Sequence, residues 1–160
     1  MKALVLLLDF NRIMKKTQIQ KHFLGLAGEY LVCAELAKKE INASLTFGNH
    51  KSIDIIASNP TNNKSCFIQV KTSNSSRILT GFFQKYKTGE TAHPDFWIIV
   101  NFNNNNTNFY ILTHVELANI QMQINKMSEW SEIKGGVDNI NLKSIEIYKN
   151  QWDKIINFLI

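Results

Sequence analysis

The 160-residue sequence has little cysteine, little proline and no long apolar run, and each shortage excludes a class of protein. Its two cysteines, Cys33 and Cys66, are too far apart for a CxxC motif and both lie in apolar surroundings. We therefore expect buried free thiols in a reducing compartment. With only two prolines, no Pro-rich linker divides the chain, and no stretch approaches the roughly 18 apolar residues of a membrane span.

Several sequence signatures of enzymes are also missing. There is no P-loop, no Gly-x-Ser-x-Gly elbow and no dinucleotide fingerprint. The four histidines lack metal-ligand spacing, and His50 is interpreted as a turn residue without a role. The apolar run from Ala3 to Leu8 is short and is followed by charges, unlike a secretion signal, so we expect a cytoplasmic protein. Met14 would serve equally well as a start, which makes residues 1–13 a dispensable extension in this interpretation.

The composition is that of a globular protein, and we expect a single domain over residues 1–160. Hydrophobic residues make up 44%, aromatic residues 11% and charged residues 19% of the chain. The net charge of +5 is unevenly placed: residues 1–80 hold 11 Lys and Arg against 5 Asp and Glu, whereas residues 81–160 hold 7 against 8. A basic first half favours a polyanionic partner such as nucleic acid, although mildly basic proteins without such a partner are common.

Hydrophobic periodicity predicts an α/β fold. Residues 18–40 show helical spacing, with Gly25 and Gly28 suggesting close approach of a backbone or a ligand. Residues 43–47, 52–58 and 66–70 are predicted to form three strands joined by turns of the antiparallel kind. The Ser and Asn cluster after Lys71 is predicted to cap a helix to about residue 87.

The second half continues this alternation. Residues 95–102 are predicted to form a strand buried on both faces, a turn follows in the Asn-rich tract, and residues 109–113 return as a strand. Thr113 and Glu116 have capping-box spacing for a helix to about residue 127, and a last helix is predicted within 150–159. The expected architecture is a mixed central sheet flanked by helices.

Three polar side chains interrupt the predicted buried strands. Asp54 lies in an apolar run, and fifteen residues later Gln69 and Lys71 share one strand face, opposite Ile68 and Val70. Such groups are costly to bury unless they are paired or hold a metal. The oxygens of Asp54, Gln69 and the Val70 carbonyl form a set suited to Mg²⁺, and Lys71 is placed to stabilise phosphate charge or hold an attacking water.

This pattern resembles the PD-(D/E)XK nuclease superfamily. It is carried by Glu29 in AGEYLV, Asp54 in SIDIIA and Gln69-Val70-Lys71 in FIQVKTS, over about residues 18–102. The resemblance implies a restriction-endonuclease-like α-β-β-β-α-β core, with residues 103–160 adding a strand and helices. It further implies a Mg²⁺-dependent endonuclease acting on DNA, with Mn²⁺ able to substitute, and it allows for a homodimer. Glu29, Asp54, Gln69 and Lys71 would be catalytic.

The sequence departs from this pattern at Gln69, where Glu is commoner. An amide removes one negative charge from the metal site. The resemblance implies Glu29 as a metal ligand together with Asp54, Gln69 and Val70, and its carboxylate would replace the missing charge. The alternative is a decayed nuclease-fold module that binds nucleic acid or a protein partner. Each residue also has a plain structural interpretation: a solvated helix face for Glu29, an exposed strand residue for Asp54 and a strand end for Lys71.

Other conspicuous side chains are interpreted as structural. Glu35 and Lys85 are expected on the surface, and Trp97, Trp130 and Trp152 in the core rather than stacked on bases.

Overall fold

A computed structural model describes residues 18–46, 53–82, 92–103, 106–128 and 137–160. In chain order the elements are α1 (Gln18–Ala37), β1 (Asn42–Leu45), β2 (Ile55–Ser58), β3 (Ser65–Ser73), β4 (Arg77–Leu79), β5 (Phe96–Asn103), β6 (Asn106–Thr113), α2 (His114–Ile124), β7 (Asn139–Asn141), a 3-10 helix (Leu142–Tyr148) and α3 (Asp153–Leu159). Within these residues no helix is long and apolar enough to cross a membrane. The predicted features at residues 1–13, His50, Lys85, Trp130 and the end of the helix to residue 87 lie outside them.

A five-stranded mixed sheet forms the centre of the fold, in the order β1-β2-β3-β5-β6. β1, β2 and β3 are antiparallel neighbours, β3 and β5 run parallel, and β5 and β6 are antiparallel. The predicted antiparallel trio is therefore confirmed. A second, two-stranded sheet pairs β4 with β7. The parallel pairing places the ends of β3 and β5 at the same edge of the sheet.

Helices cover one face of the sheet, and a mixed layer covers the other. On the first face, α1 and α3 pack on alternate residues of β2, β3 and β5, among them Ile68, Val70 and Ile98. On the second face, α2, the β4-β7 sheet and the 3-10 helix pack on Trp97, Ile99 and the other alternate residues. β5 is buried along both faces, as predicted. The expected mixed α/β sheet flanked by helices is confirmed.

The buried side of α1 differs from its most obvious apolar periodicity. Gly28, Val32 and Leu36 are the buried residues, whereas Phe23 is 62% exposed and Ala27 lies in solvent. The helix carries small or apolar residues on two sides, so the sequence pattern identifies the helix but not the side that packs.

The predicted helix after Lys71 is wrong in its first half. β3 continues through Ser73, and Arg77–Leu79 forms β4 instead. The Ser and Asn cluster makes a turn because the Asn101 side chain binds the carbonyls of Ser73 and Ser75. β4 then pairs with β7, whose residues lie 60 to 64 positions further along the chain, so no local pattern reveals the pairing.

The C-terminal elements close the fold. The predicted capping box of α2 is present: Thr113 Oγ1 accepts from the Glu116 N–H, and Glu116 accepts from the Thr113 N–H. Lys154 on α3 forms an ion pair with Glu116 at 2.6 Å. Beyond the outer edge of β6, Lys149 makes an antiparallel bridge with Tyr110, and the Asn150 N–H donates to the Phe109 carbonyl at 2.8 Å.

Candidate active site

Asp54 lies at the entrance to β2 rather than inside it, which corrects the predicted strand 52–58. Its main chain extends the ladder by one residue, because its N–H donates to the Ile68 carbonyl and its carbonyl accepts from the Thr46 N–H, each at 2.9 Å. The Asp54 carboxylate turns to β3, where Oδ2 accepts from the Val70 N–H at 2.7 Å and from Gln69 Nε2. The Asp54 carboxylate therefore binds the Val70 N–H of β3 just beyond the last main-chain hydrogen bond between Asp54 and β3.

Gln69 is only 2% exposed and lies on the second face of the sheet, where its strand partner in β5 is Trp97. Its neutral amide donates to the Asp54 carboxylate, so the two polar groups satisfy one another. A glutamate at this position would instead place two carboxylates in contact, an arrangement that raises the pKa of the pair unless a cation or a proton separates them. The amide thus makes the Asp54 contact favourable without a bound ion.

Lys71 shares the face of Gln69, and its ammonium is partly withdrawn from water. Burial lowers its pKa, while the nearby carboxylates of Asp54, Glu29 and Asp138 act in the opposite direction. The Lys71 Nζ lies 6.0 Å from the centroid of the Trp97 ring, at the limit of a cation–π contact. The lysine is therefore held between negative charge and an aromatic surface rather than extended into solvent, which argues against the plain strand-end interpretation.

Glu29 reaches the same place from α1. Burial raises its pKa, the Asp54 carboxylate raises it further, and His22 and Lys71 lower it. The helix approaches closely here because the preceding residue is Gly28: a Cβ at that position would collide with Thr72 Oγ1 on β3. The predicted close approach is confirmed at Gly28 and not at Gly25, where an added Cβ meets no atom of the described residues within 4 Å apart from its own helix backbone.

The geometry thus brings Glu29, Asp54, Gln69 and Lys71 together from three separate elements. Two carboxylates close enough to influence one another, with an amide bonded to one of them, supply oxygen donors of the kind that Mg²⁺ takes, an ion that keeps several waters. Among the described residues there is no group of three or more His, Cys, Asp or Glu side chains arranged to hold a metal, so two carboxylates are the charged part of this set. The Val70 carbonyl as a fourth ligand stays a prediction.

Three further groups of side chains singled out in the sequence lie within the described residues. Glu35, expected on the surface, is half-buried and pairs with the exposed Lys38 at 2.7 Å. Trp97 and Trp152 are buried in the two core clusters, as predicted. Cys33 and Cys66 are free, and burial followed by the charge of Asp95 raises the pKa of the Cys66 thiol to about 12.

Two neighbours of the site were missed by sequence reasoning. Asp138 acts on Lys71 from the start of the β4-β7 sheet, where its Oδ1 accepts from Thr80 Oγ1 at 3.0 Å. It follows Gly135 and Gly136 and lies far from Lys71 in the chain, so nothing local marks it. His22, seven residues before Glu29, shares one side of α1 with it, and that helical spacing is a signal that could have identified it.

Comparisons with known proteins give a distant structural likeness and no likeness in sequence. No protein-family model matches the sequence, and no curated protein matches it. Among solved structures, the chain is similar to Hjc, a Holliday junction resolvase from Archaeoglobus fulgidus, with a TM-score of 0.43 and 14% identity over 77% of this chain and 88% of that one. A likeness at this level carries no functional conclusion, which must come from the site.

Proposed function

We propose that this protein is a metal-dependent endonuclease that hydrolyses phosphodiester bonds in DNA, with Mg²⁺ or Mn²⁺ as the ion, and that it is a member of the PD-(D/E)XK superfamily. The observation that carries the proposal is that the Asp54 carboxylate accepts hydrogen bonds from Gln69 and the Val70 N–H, directly before Lys71 on β3, with Glu29 near enough to influence the lysine charge. A carboxylate pair beside a partly desolvated lysine serves hydrolysis of a phosphodiester better than it serves stability, because both carboxylates and the ammonium are costly to bury.

The proposed residues have two different roles in hydrolysis. Lys71 stabilises negative charge that develops on the phosphate and orients the attacking water, since a desolvated cation acts strongly in such a site. Asp54 and Glu29, with the Gln69 oxygen and the Val70 carbonyl, would hold the ion. A bound Mg²⁺ supplies Lewis-acid stabilisation of the phosphoryl oxygens and a lower pKa for its bound water.

DNA as the partner is supported by the charge of the chain. The first half, which supplies every proposed catalytic residue, carries 11 basic against 5 acidic side chains. Such a surface displaces counterions from a phosphate backbone, so binding should weaken steeply as salt rises.

A second candidate function is favoured by one observation, the hydrogen bond from Gln69 to Asp54. Because this bond satisfies the carboxylate without an ion, a module that has lost cleavage but binds nucleic acid or a protein would be stable with the same side chains. Against this alternative, such a module has no reason to keep Lys71 close to two carboxylates.

Cleavage of supercoiled, linear and branched DNA with added Mg²⁺ or Mn²⁺ separates the two functions. We expect Lys71→Ala and Asp54→Ala to lower the cleavage rate by about 10²-fold or more, with far-UV circular dichroism unchanged. Glu35→Ala, which removes a half-buried carboxylate of the same helix as Glu29 that pairs with Lys38, is the matched control and should keep the wild-type rate. If no substrate is cleaved with either ion, the nuclease is excluded and the binding module is favoured.

Gln69→Glu provides a further test of the shared ion site. Without metal, the added carboxylate repels Asp54 and should lower the melting temperature. With Mg²⁺ the variant should gain more stability than the wild type, because it binds the ion more tightly. A variant that responds to Mg²⁺ just as the wild type does would show that Gln69 and Asp54 do not share an ion.

A further inference from the structure

The turn that follows β3 is held rigidly at the end of the strand that carries Lys71. Asn101 on β5 is 3% exposed and donates through Nδ2 to the carbonyls of Ser73, at 3.1 Å, and Ser75, at 3.0 Å. Ser75 Oγ in turn donates to the Arg77 carbonyl at 2.8 Å. The turn begins two residues after Lys71, about 7 Å along the strand. Its position relative to the candidate active site is therefore fixed by the sheet.

Arg77 leaves this turn with its guanidinium already oriented. Its Nε donates to Asn139 Oδ1 at 2.7 Å, across the β4-β7 sheet, while the side chain remains exposed. Among the described residues Arg77 makes no ion pair with a carboxylate. The two terminal nitrogens of the guanidinium form the fork that binds a phosphate through parallel hydrogen bonds. An arginine anchored at Nε loses little conformational freedom when it makes such bonds.

Lys143 supplies a second exposed cation next to the same turn. The N–H of Leu142 donates to the Ser76 carbonyl at 2.9 Å, and the N–H of Lys143 donates to Asn141 Oδ1 at 3.0 Å. These bonds tie the start of the 3-10 helix to the turn. The turn surface, defined as Ser73–Arg77 with Lys143, therefore joins exposed serines and two cations beside the candidate active site.

We infer that the turn surface binds the phosphate backbone of a nucleic acid on the side of the scissile phosphate reached by the end of β3. Arg77 makes a forked contact to one phosphate, and Lys143 contributes a point charge nearby. The contact is independent of base sequence, because phosphate contacts set position while base edges specify sequence. This inference rests on the proposed function, since it names how the same substrate is held.

The salt dependence of duplex binding, measured in EDTA so that no cleavage occurs, tests the inference. Each phosphate contact contributes about 0.9 to the slope of log affinity against log salt. Arg77→Ala should reduce the slope by about 1 and weaken binding about tenfold at 0.1 M salt. Arg77→Lys should keep the slope but bind more weakly, because the fork is lost. Asn139→Ala should also keep the slope and lower affinity, since the guanidinium keeps its charge but not its anchor.

Lys64→Ala is the matched control. Lys64 is an exposed lysine just before the opposite end of β3, so the variant removes the same charge far from the turn surface. Its slope should equal that of the wild type. If Arg77→Ala unfolds, Arg77→Gln, which keeps the alkyl stem, takes its place in the comparison. A mononucleotide that binds through Arg77 as tightly as the duplex would overturn the assignment to a backbone.

The outcomes distinguish this inference from the proposed function. If the slope falls for Arg77→Ala but the protein cleaves no DNA with Mg²⁺ or Mn²⁺, the backbone contact of Arg77 is kept, and the nuclease is removed together with the placement relative to a scissile phosphate. Cleavage by the wild type, together with equal slopes for Arg77→Ala and Lys64→Ala, keeps the nuclease and overturns the inference. A wild type that binds no duplex even at low salt removes both.

Discussion

Two glycines on α1 should respond in opposite ways to the same substitution. Apart from its own helix backbone, an added Cβ at Gly25 meets no described atom within 4 Å, so Gly25→Ala should stabilise the protein by the intrinsic helix preference of alanine, about 0.8–1.0 kcal/mol. At Gly28 the new methyl would overlap Thr72 Oγ1 and lie 3.0 Å from Thr72 Cβ and Cγ2. The helix or the strand must then move apart at the point where Glu29 meets the site.

The free energies of unfolding of Gly25→Ala and Gly28→Ala together give the cost of the overlap. Inserting a methyl into a packed contact costs about 1–3 kcal/mol, and the helix preference of alanine offsets about 1 kcal/mol of this. Gly28→Ala should therefore lower the free energy of unfolding by about 0–2 kcal/mol. Because the helix preference is common to both variants, the difference of about 1–3 kcal/mol between them measures the overlap alone.

Urea unfolding followed by far-UV circular dichroism measures this difference. Thr72→Ala should be nearly neutral by itself, because the Thr72 hydroxyl is buried and has no hydrogen-bond partner among the described residues. Combined with Gly28→Ala it should recover part of the lost stability, and the double-mutant cycle gives the coupling. Gly28→Ala as stable as Gly25→Ala would refute the close contact between α1 and β3.

The other predictions concern protonation. Burial and Asp54 raise the pKa of Glu29 above its ordinary 4.5, and burial lowers the pKa of Lys71 below 10.5. A plot of kcat/KM for DNA cleavage against pH should therefore show a plateau between these values, with a fall on each side. The fall on the acid side should be lost in Glu29→Gln, and an unchanged acid side would exclude Glu29 from the reaction. Burial, and then the charge of His93, lowers the pKa of His114 to about 4. The unfolded chain therefore binds more protons, and stability should be lost as pH falls from about 6.5 to about 4. Unfolding can be followed by the fluorescence of Trp97, whose Nε1 donates to His114 Nδ1 at 3.2 Å, and a His114→Gln variant with the same pH dependence would contradict this assignment.

Local patterns were sufficient for the elements whose partners are near in sequence. The helical spacing of α1, the capping box of α2 and the apolar run of β5 each contain their own signal, and the structure confirms them. The apolar-Asp-apolar and Gln-Val-Lys patterns predicted that Asp54 lies beside Gln69, and the structure shows that contact, whereas the catalytic roles of Asp54 and Lys71 stay predictions. Their alternation on β3 sets the face to which Gln69 and Lys71 belong, because successive strand residues point to opposite faces.

What could not be predicted depends on distant partners. β4 exists because β7 pairs with it, and residues 72–79 by themselves look like a helix cap followed by apolar residues. Asp54 lies outside β2 because its carboxylate replaces a main-chain partner for Val70, an interaction that the strand pattern does not encode. Asp138 joins Lys71 only after the β4-β7 sheet has formed, so tertiary packing and not periodicity places it.

The bridge between Tyr110 and Lys149 has a consequence for the behaviour of the protein at high concentration. β6 is an outer strand with consecutive buried apolar residues at 109–112, and an uncovered strand of this kind is a template for pairing with other chains. The segment around Lys149 and Asn150 occupies part of that edge through the bridge and the bond to Phe109. The segment around Lys149 and Asn150 thus limits aggregation, because it covers part of the β6 edge with which a second molecule could pair.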